Sequence, residues 1–148
     1  MTADLELVRR LAAADKGLAV VSTTRPDGTV HSSLVNAGVF DHPLTKEPTV
    51  ALVARGSAYK LRLLATAGRA NVVFRVGWEW VSVEGPVDIL GPDHPRPEFP
   101  GDQIPQLLRG IFTAAGGTHD DWAEYDRVMA EERRTAVFVT PARITTNR

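Results

Sequence analysis

The chain contains no cysteine, so disulfide bonds and thiolate metal sites are excluded. It also lacks an excess of either charge, because 17 Lys and Arg residues stand against 18 Asp and Glu residues. The resulting net charge of -1 argues against a nucleic-acid-binding or membrane-surface protein. The stretch MTADLELVRRLAAADKG has no long apolar run, and we expect neither a signal peptide nor a membrane span. A reducing cytoplasm fits this composition.

Several motifs of enzymes are missing as well. The sequence has no Ser-His-Asp order, no HExxH, no paired catalytic carboxylates and no glycine-rich phosphate or dinucleotide loop. Its four histidines are scattered, without the spacing of metal ligands, so we expect no metal site. We assign no catalytic residue. If the protein is an enzyme, the lack of a nucleophile and of a metal favours a cofactor that carries the reaction itself.

What is present predicts a small β protein. The 148 residues suit a single domain, residues 1–148. Alternating and apolar segments predict six strands, at residues 18–24, 29–40, 49–54, 70–76, 78–90 and 135–144. Helical patterns occupy the N-terminus, the stretch after the third strand, and residues 106–117 and 119–134. Many strands with few helices predict a mainly β fold, a six-stranded antiparallel barrel with peripheral helices.

Several polar and basic residues lie close together at one chain reversal, in the segment VARGSAYKLRLL. Arg55, Gly56, Ser57 and Lys60 lie where a buried strand turns into a helix. A helix N-terminus leaves backbone N–H groups unpaired and attracts anions, so a phosphate could be held here. The alternative is that Ser57 caps the helix and that both basic residues are merely solvated. The residues alone leave both interpretations open.

Two further pairs of residues are candidates for a pocket. Trp78 and Trp80 are predicted on one face of the fifth strand, where they form a wall for the core, for a dimer interface or for a planar ligand. His31 and Ser33 share a face of the second strand. They are either ordinary polar barrel residues or part of a pocket.

Four segments in order resemble one known superfamily. They are GLAVVSTTRPDGTVHSS, ARGSAYKLRLLATAGRANVVF, GWEWVSVEGPVDIL and HDDWAEYDRVMAEERRTAVFVTPARI, and together they cover almost the whole chain. The chain resembles the split-barrel flavin and deazaflavin oxidoreductases, the superfamily of pyridoxamine 5'-phosphate oxidase. Within it, the chain is most similar to the branch that uses the deazaflavin coenzyme F420.

The resemblance implies a fold, a partner and a site. Members are split β-barrels that form homodimers with cofactor sites at the subunit interface. The phosphate-binding segment maps onto the reversal, which implicates Arg55, Gly56, Ser57, Lys60 and Arg62. Residues after the first hairpin lie near the cofactor ring, which adds His31 and Ser33. The start of the fifth strand approaches the site from the other subunit, which adds Trp78 and Trp80.

The resemblance also predicts an activity and limits it. The C-terminal TPARITTNR lacks the oxidase's tryptophan and Arg-Leu-x-Pro ending, so vitamin B6 oxidation is not expected. We expect an F420-dependent oxidoreductase that acts on a small organic substrate. A cluster of Arg55, Lys60, Arg62 and Arg69 favours F420, with its anionic tail, over FMN. The alternatives are an FMN-dependent oxidoreductase of the same superfamily and a carrier that binds a flavin or deazaflavin without catalysis.

Overall fold

A computed structural model describes residues 4–147. Seven strands lie in one sheet, with the order β4-β1-β2-β3-β6-β5-β7 and a further pairing of β4 with β5. The strands are β1 (Leu18–Thr24), β2 (Val30–Asp41), β3 (Pro48–Ala54), β4 (Arg69–Val76), β5 (Glu79–Leu90), β6 (Thr135–Val139) and β7 (Arg143–Thr146). Strands β1 to β6 form a closed antiparallel ring, which confirms the predicted barrel, and β7 lies outside the ring on β5.

Two long strands divide this barrel into halves. The first part of β2 pairs with β1 and its second part, from Ala37, pairs with β3. Strand β5 changes partner in the same way, from β4 to β6, after Pro86. A side chain at Gly85 would place its Cβ 1.7 Å from the carbonyl oxygen of Thr140, so only glycine allows the chain segments to approach so closely there.

The predicted last strand is divided in two. We expected one strand over residues 135–144, but β6 ends at Val139 and β7 begins at Arg143. Pro141, in the connection, has no N–H group to donate to a neighbouring strand. The Ala142 N–H group instead bonds to the Glu84 carbonyl at 2.8 Å and leads the chain onto β5.

Four α-helices surround the barrel: α1 (Leu5–Ala14), α2 (Tyr59–Ala67), α3 (Ile104–Ala114) and α4 (Trp122–Glu131). Asp4 caps the N-terminus of α1, and its carboxylate accepts the Leu7 N–H at 3.0 Å. It buries Leu7, Val8, Leu11 and Ala12 in the barrel core. None of the helices within residues 4–147 is long and apolar enough to cross a bilayer.

A second apolar core lies outside the barrel, between the strands β3, β5 and β6 and the helices α3 and α4. Helix α3 contributes Leu107, Leu108 and Ile111, and Tyr125 of α4 packs with them. Phe138 and Leu90 meet these residues from the strands. This packing holds α3 and α4 beside β2 and β3 and so forms one wall of the cleft described next.

Candidate functional site

The chain reverses between β3 and α2 in residues 55–58. The Ala58 N–H group donates to the Arg55 carbonyl at 3.0 Å and closes the turn. Helix α2 begins only at Tyr59, and the residue before it, Ala58, has no side chain that can cap. The interpretation of Ser57 as the helix cap is therefore wrong, because one more residue, Ala58, lies between Ser57 and the helix and occupies the cap position. The exposed Ser57 does not stabilise the helix in this way.

This reversal packs against the turn that follows α4. The Gly56 N–H group donates to the Glu132 carbonyl at 3.1 Å. A Cβ at Gly56 would lie 2.7 Å from the Arg133 carbonyl oxygen, so the absence of a side chain lets the two segments meet. Arg133 has a φ of 49°, in the left-handed region, and this ends the helical path of the chain. The next residue, Arg134, is thereby directed toward the reversal.

Lys60 and Arg134 meet in a cleft at this point. Both are partly buried and line the same cavity. Burial lowers the pKa of Lys60, and the positive charge of Arg134 lowers it further. Arg134 donates to a Glu132 carboxylate oxygen at 2.8 Å, whereas Lys60 makes no hydrogen bond or ion pair with the residues described, 4–147. Two like charges in a partly buried cleft are typical of an anion site.

Most of the other residues that line the cleft are apolar. It has a volume of about 330 Å³ and is lined by Leu34, Val35, Asn36, Val53, Lys60, Ile111, Phe112, Ala115, Tyr125, Met129 and Arg134. Two aromatic rings, those of Phe112 and Tyr125, lie with their centroids 5.0 Å apart. The Tyr125 hydroxyl donates to the Leu108 carbonyl at 3.2 Å, and burial raises the pKa of this phenol. An apolar cleft with cations at one end suits a flat ligand that carries an anionic group.

His31 and Ser33 lie on β2 before the residues that line the cleft. They alternate with Val35 on the face of β2 that turns toward the barrel core, whereas Leu34 and Asn36 line the cleft from the opposite face. The His31 ring makes an edge contact with Tyr59 of α2, with centroids 5.3 Å apart. The Ser33 hydroxyl is buried and has no hydrogen-bond partner within residues 4–147. A buried hydroxyl without a partner is uncommon. Neither Ser33 nor His31 is among the residues that line the cleft beside Lys60.

The other predicted cations are dispersed. Arg55 is exposed and its guanidinium lies 3.4 Å from the Glu132 carboxylate. Arg62 is exposed and lies over the Tyr59 ring, 5.5 Å from its centroid. Arg69 begins β4, 3.9 Å from Glu84, and lines a different cavity. Arg69 lies beyond the C-terminal end of α2, whereas Arg55 lies before its N-terminal end. The prediction that all four cations serve one site is therefore wrong for Arg69, which lines a different cavity from Lys60.

The tryptophans lie away from the cleft within one chain. Trp78 is not on β5 as predicted but in the two-residue turn before it, where its side chain is 94% exposed. Val76 pairs with Glu79 across this turn, and Gly77 provides the positive φ of 60° that such a turn needs. Trp80 is half-buried on the outer face of β5. Neither ring contributes to the walls of the cleft beside Lys60.

Several cleft residues were not predicted from the sequence. Arg134 falls at the end of the segment predicted as a helix through residue 134, but α4 ends at Glu131. Phe112, Tyr125 and Met129 carry helical spacing that predicts only core packing. In the sequence, Arg134 stands out only as a charged residue directly before the apolar strand β6. That position does not show that Arg134 lies beside Lys60. Among residues 4–147 no group of three or more His, Asp or Glu side chains is placed to hold a metal ion.

Comparison with known proteins identifies the fold. No protein-family model and no curated protein sequence matches the chain. A conserved hypothetical protein of Mycobacterium tuberculosis superposes with a TM-score of 0.70 and 17% identity, covering 99% of this chain and 85% of that one. An FMN-binding, pyridoxamine 5'-phosphate oxidase-related protein of Nostoc punctiforme gives 0.60 and 10%, covering 95% and 79%. The chain has the split-barrel fold.

A further solved structure, an F420 reductase, has the same fold. It superposes with a TM-score of 0.62 and 13% identity, and the match covers 90% of this chain and 93% of that one. Identities this low establish the fold and leave the activity to be argued from the cleft itself.

Proposed function

We propose that this protein is an oxidoreductase that binds a flavin-type cofactor, F420, in the cleft beside Lys60 and acts on a small organic substrate. The observation that carries the proposal is the pair of cations, Lys60 and Arg134, at one end of an apolar cleft. Burial, and to a smaller extent the charge of Arg134, lower the pKa of Lys60, and a phosphate between the two cations would offset both effects. The split-barrel fold, shared with an FMN-binding protein and an F420 reductase, supports this proposal.

The residues of the cleft fit such a cofactor. The volume of about 330 Å³ lies within the range of small-molecule sites, roughly 300–1,000 Å³. Leu34, which lines the cleft, is 64% exposed, so the cleft is open to solvent at this residue. A ligand can therefore extend out of the cleft, beyond the single chain. These features match a ligand with a phosphate at one end and a planar ring at the other.

The chain's own residues would bind and orient the cofactor, while the bound deazaflavin would supply the hydride chemistry. Lys60 and Arg134 hold the phosphate and so fix the position of the ligand along the cleft. Leu34, Phe112 and Met129 exclude water from the ring. Burial raises the pKa of the Tyr125 phenol, which is protonated at neutral pH in any case, and its hydroxyl donates to the Leu108 carbonyl. We assign no catalytic residue.

The choice of F420 rests on the surroundings of Lys60. Arg55 on the reversal and Arg62 on α2 are both exposed, and their charges can meet an anionic tail that leaves the cleft. FMN has no such tail. The alternatives are an FMN-dependent oxidoreductase and a carrier that binds the cofactor without hydride transfer.

A binding titration tests the proposal. We expect F420 to bind about ten times more tightly than FMN, because two exposed charge contacts to its tail, from Arg55 and Arg62, together add roughly 1.4 kcal/mol. Fluorescence titration of both cofactors measures the ratio. Equal or reversed affinities would favour FMN, and no binding of either cofactor would reject the function. Tight binding without hydride transfer to a broad panel of acceptors would favour the carrier.

The exposed apolar side chains predict a homodimer. Trp78, Leu34 and Val30 are 94%, 64% and 61% exposed, and Val20 is 40% exposed. Because Leu34 also lines the cleft, a partner that covers it would help to enclose the cofactor. We expect light scattering at micromolar concentration to give twice the mass of one chain. A monomer that persists in the presence of F420 would contradict this prediction.

A further inference from the structure

Glu132 lies between two cations, one of which, Arg134, lines the cleft. One carboxylate oxygen accepts from Arg134 at 2.8 Å, and the other lies 3.4 Å from the Arg55 guanidinium. Its backbone carbonyl accepts from the Gly56 N–H group, so the residue is fixed against the reversal. The Arg134 hydrogen bond lowers the pKa of Glu132, with a smaller contribution from the Arg55 charge, and the carboxylate is ionised at neutral pH.

This carboxylate changes the charge that an anion meets in the cleft. Lys60 and Arg134 contribute two positive charges, and Glu132, in contact with Arg134, contributes a negative one. Arg55 lies on the other side of Glu132, with 55% of its side chain exposed, so water screens its charge from the cleft. The cleft therefore offers about one net positive charge.

The two cofactors differ in the charge of the phosphate group that would lie there. FMN carries a phosphate monoester, which has a second ionisation near pH 6 and bears about two negative charges at pH 7.5. The phosphate of F420 is a diester and keeps a single negative charge. A cleft with one net positive charge matches the diester, and the second charge of a monoester would be repelled by Glu132.

We propose that Glu132 is a specificity-determining residue that acts through Arg134 to select a phosphodiester-linked deazaflavin over a phosphate monoester such as FMN. This inference rests on the proposed function and deepens it. The competing explanation is that Glu132 only anchors Arg134. An anchor would affect both cofactors alike, because both place a phosphate beside the same guanidinium.

The substitution Glu132→Gln separates charge from anchoring. Glutamine keeps the size of the side chain and an oxygen that accepts from Arg134, but it removes the negative charge. We expect the ratio of FMN affinity to F420 affinity to rise about tenfold, as the loss of one charge several ångströms from a phosphate predicts at the edge of a protein. Calorimetric titration of both cofactors at pH 7.5 measures this ratio. Glu132→Asp, which retains the charge, should keep the ratio near that of the wild-type protein.

Glu131→Gln is the matched control. Glu131 is the neighbouring residue, exposed, and paired with Arg127 on the surface of α4. Its substitution should leave the affinity ratio unchanged. If Glu132→Gln changes both affinities by the same factor, or changes neither, Glu132 does not determine the choice of cofactor. The proposed cofactor site itself is not affected by that result. If the wild-type protein binds neither cofactor, the proposed function and this inference fail together.

Discussion

Replacement of Lys60 by alanine should lower the affinity for the cofactor about ten- to a hundredfold. A charge-assisted hydrogen bond to phosphate is worth roughly 1.5–3 kcal/mol, which corresponds to that range of affinity. The effect should lie near the upper end, because Lys60 is partly buried and meets no other anion within residues 4–147. Fluorescence titration with F420 measures the change. Loss of the like charge beside Arg134 should at the same time leave the unliganded protein no less stable.

Lys46→Ala provides the control for this prediction. Lys46 is exposed in the connection between β2 and β3, where its ammonium group donates to the Pro43 carbonyl at 2.7 Å. Its φ of 66° is unfavourable for lysine and alanine alike, so the substitution adds little backbone strain. If Lys60→Ala and Lys46→Ala bind the cofactor equally well, the phosphate interpretation of the reversal is wrong.

Gly56→Ala should destabilise the protein by about 1–3 kcal/mol, the usual range for an overpacked site. The new Cβ would lie 2.7 Å from the Arg133 carbonyl oxygen and 2.9 Å from the Arg133 Cβ, so the backbone of one segment has to move. The same movement would separate Lys60 from Arg134, and we expect weaker cofactor binding as well. Chemical denaturation and titration measure the two effects.

Gly101→Ala is the matched substitution at a site without crowding. A Cβ at Gly101 would meet nothing within 4 Å, and the residue has no positive φ. Equal denaturation midpoints for Gly56→Ala and Gly101→Ala would show that the reversal and the turn after α4 can separate freely. The close approach at Gly56 would then not hold the cleft together.

The barrel could be predicted from the sequence because its strands alternate apolar and polar residues locally. β5 shows this clearly: Val81 and Val83 are fully buried, while Trp80 and Ser82 on the other face are partly exposed. The errors lie at the ends of strands. Trp78 continues the alternation in sequence but belongs to a turn, and Pro141 interrupts a segment that otherwise has the composition of a strand. In both places the pairing partner, which the sequence does not show, decides where the strand ends.

The candidate site could be predicted only in part, for a similar reason. Lys60 follows a strand-to-helix reversal that is visible in the sequence. Arg134 lies far along the chain, and it reaches the cleft because Arg133 adopts a left-handed conformation that sequence patterns assign mostly to glycine. The contact between Gly56 and Arg133 that brings the two cations together is a tertiary contact, with no local signature.

The position of β6 in the ring has a consequence for the synthesis of the protein. Strand β6 lies between β3 and β5, although more than 40 residues separate β5 from it in the chain. Until it has left the ribosome, the edges of β3 and β5 stay open and can pair with other chains. All five of its residues, TAVFV, are buried in the finished barrel, so the strand is itself prone to aggregate until it pairs with β3 and β5. During synthesis the ring can therefore close only after nearly the whole chain has been made, and we expect chaperone capture of the nascent chain to be most useful just before that point.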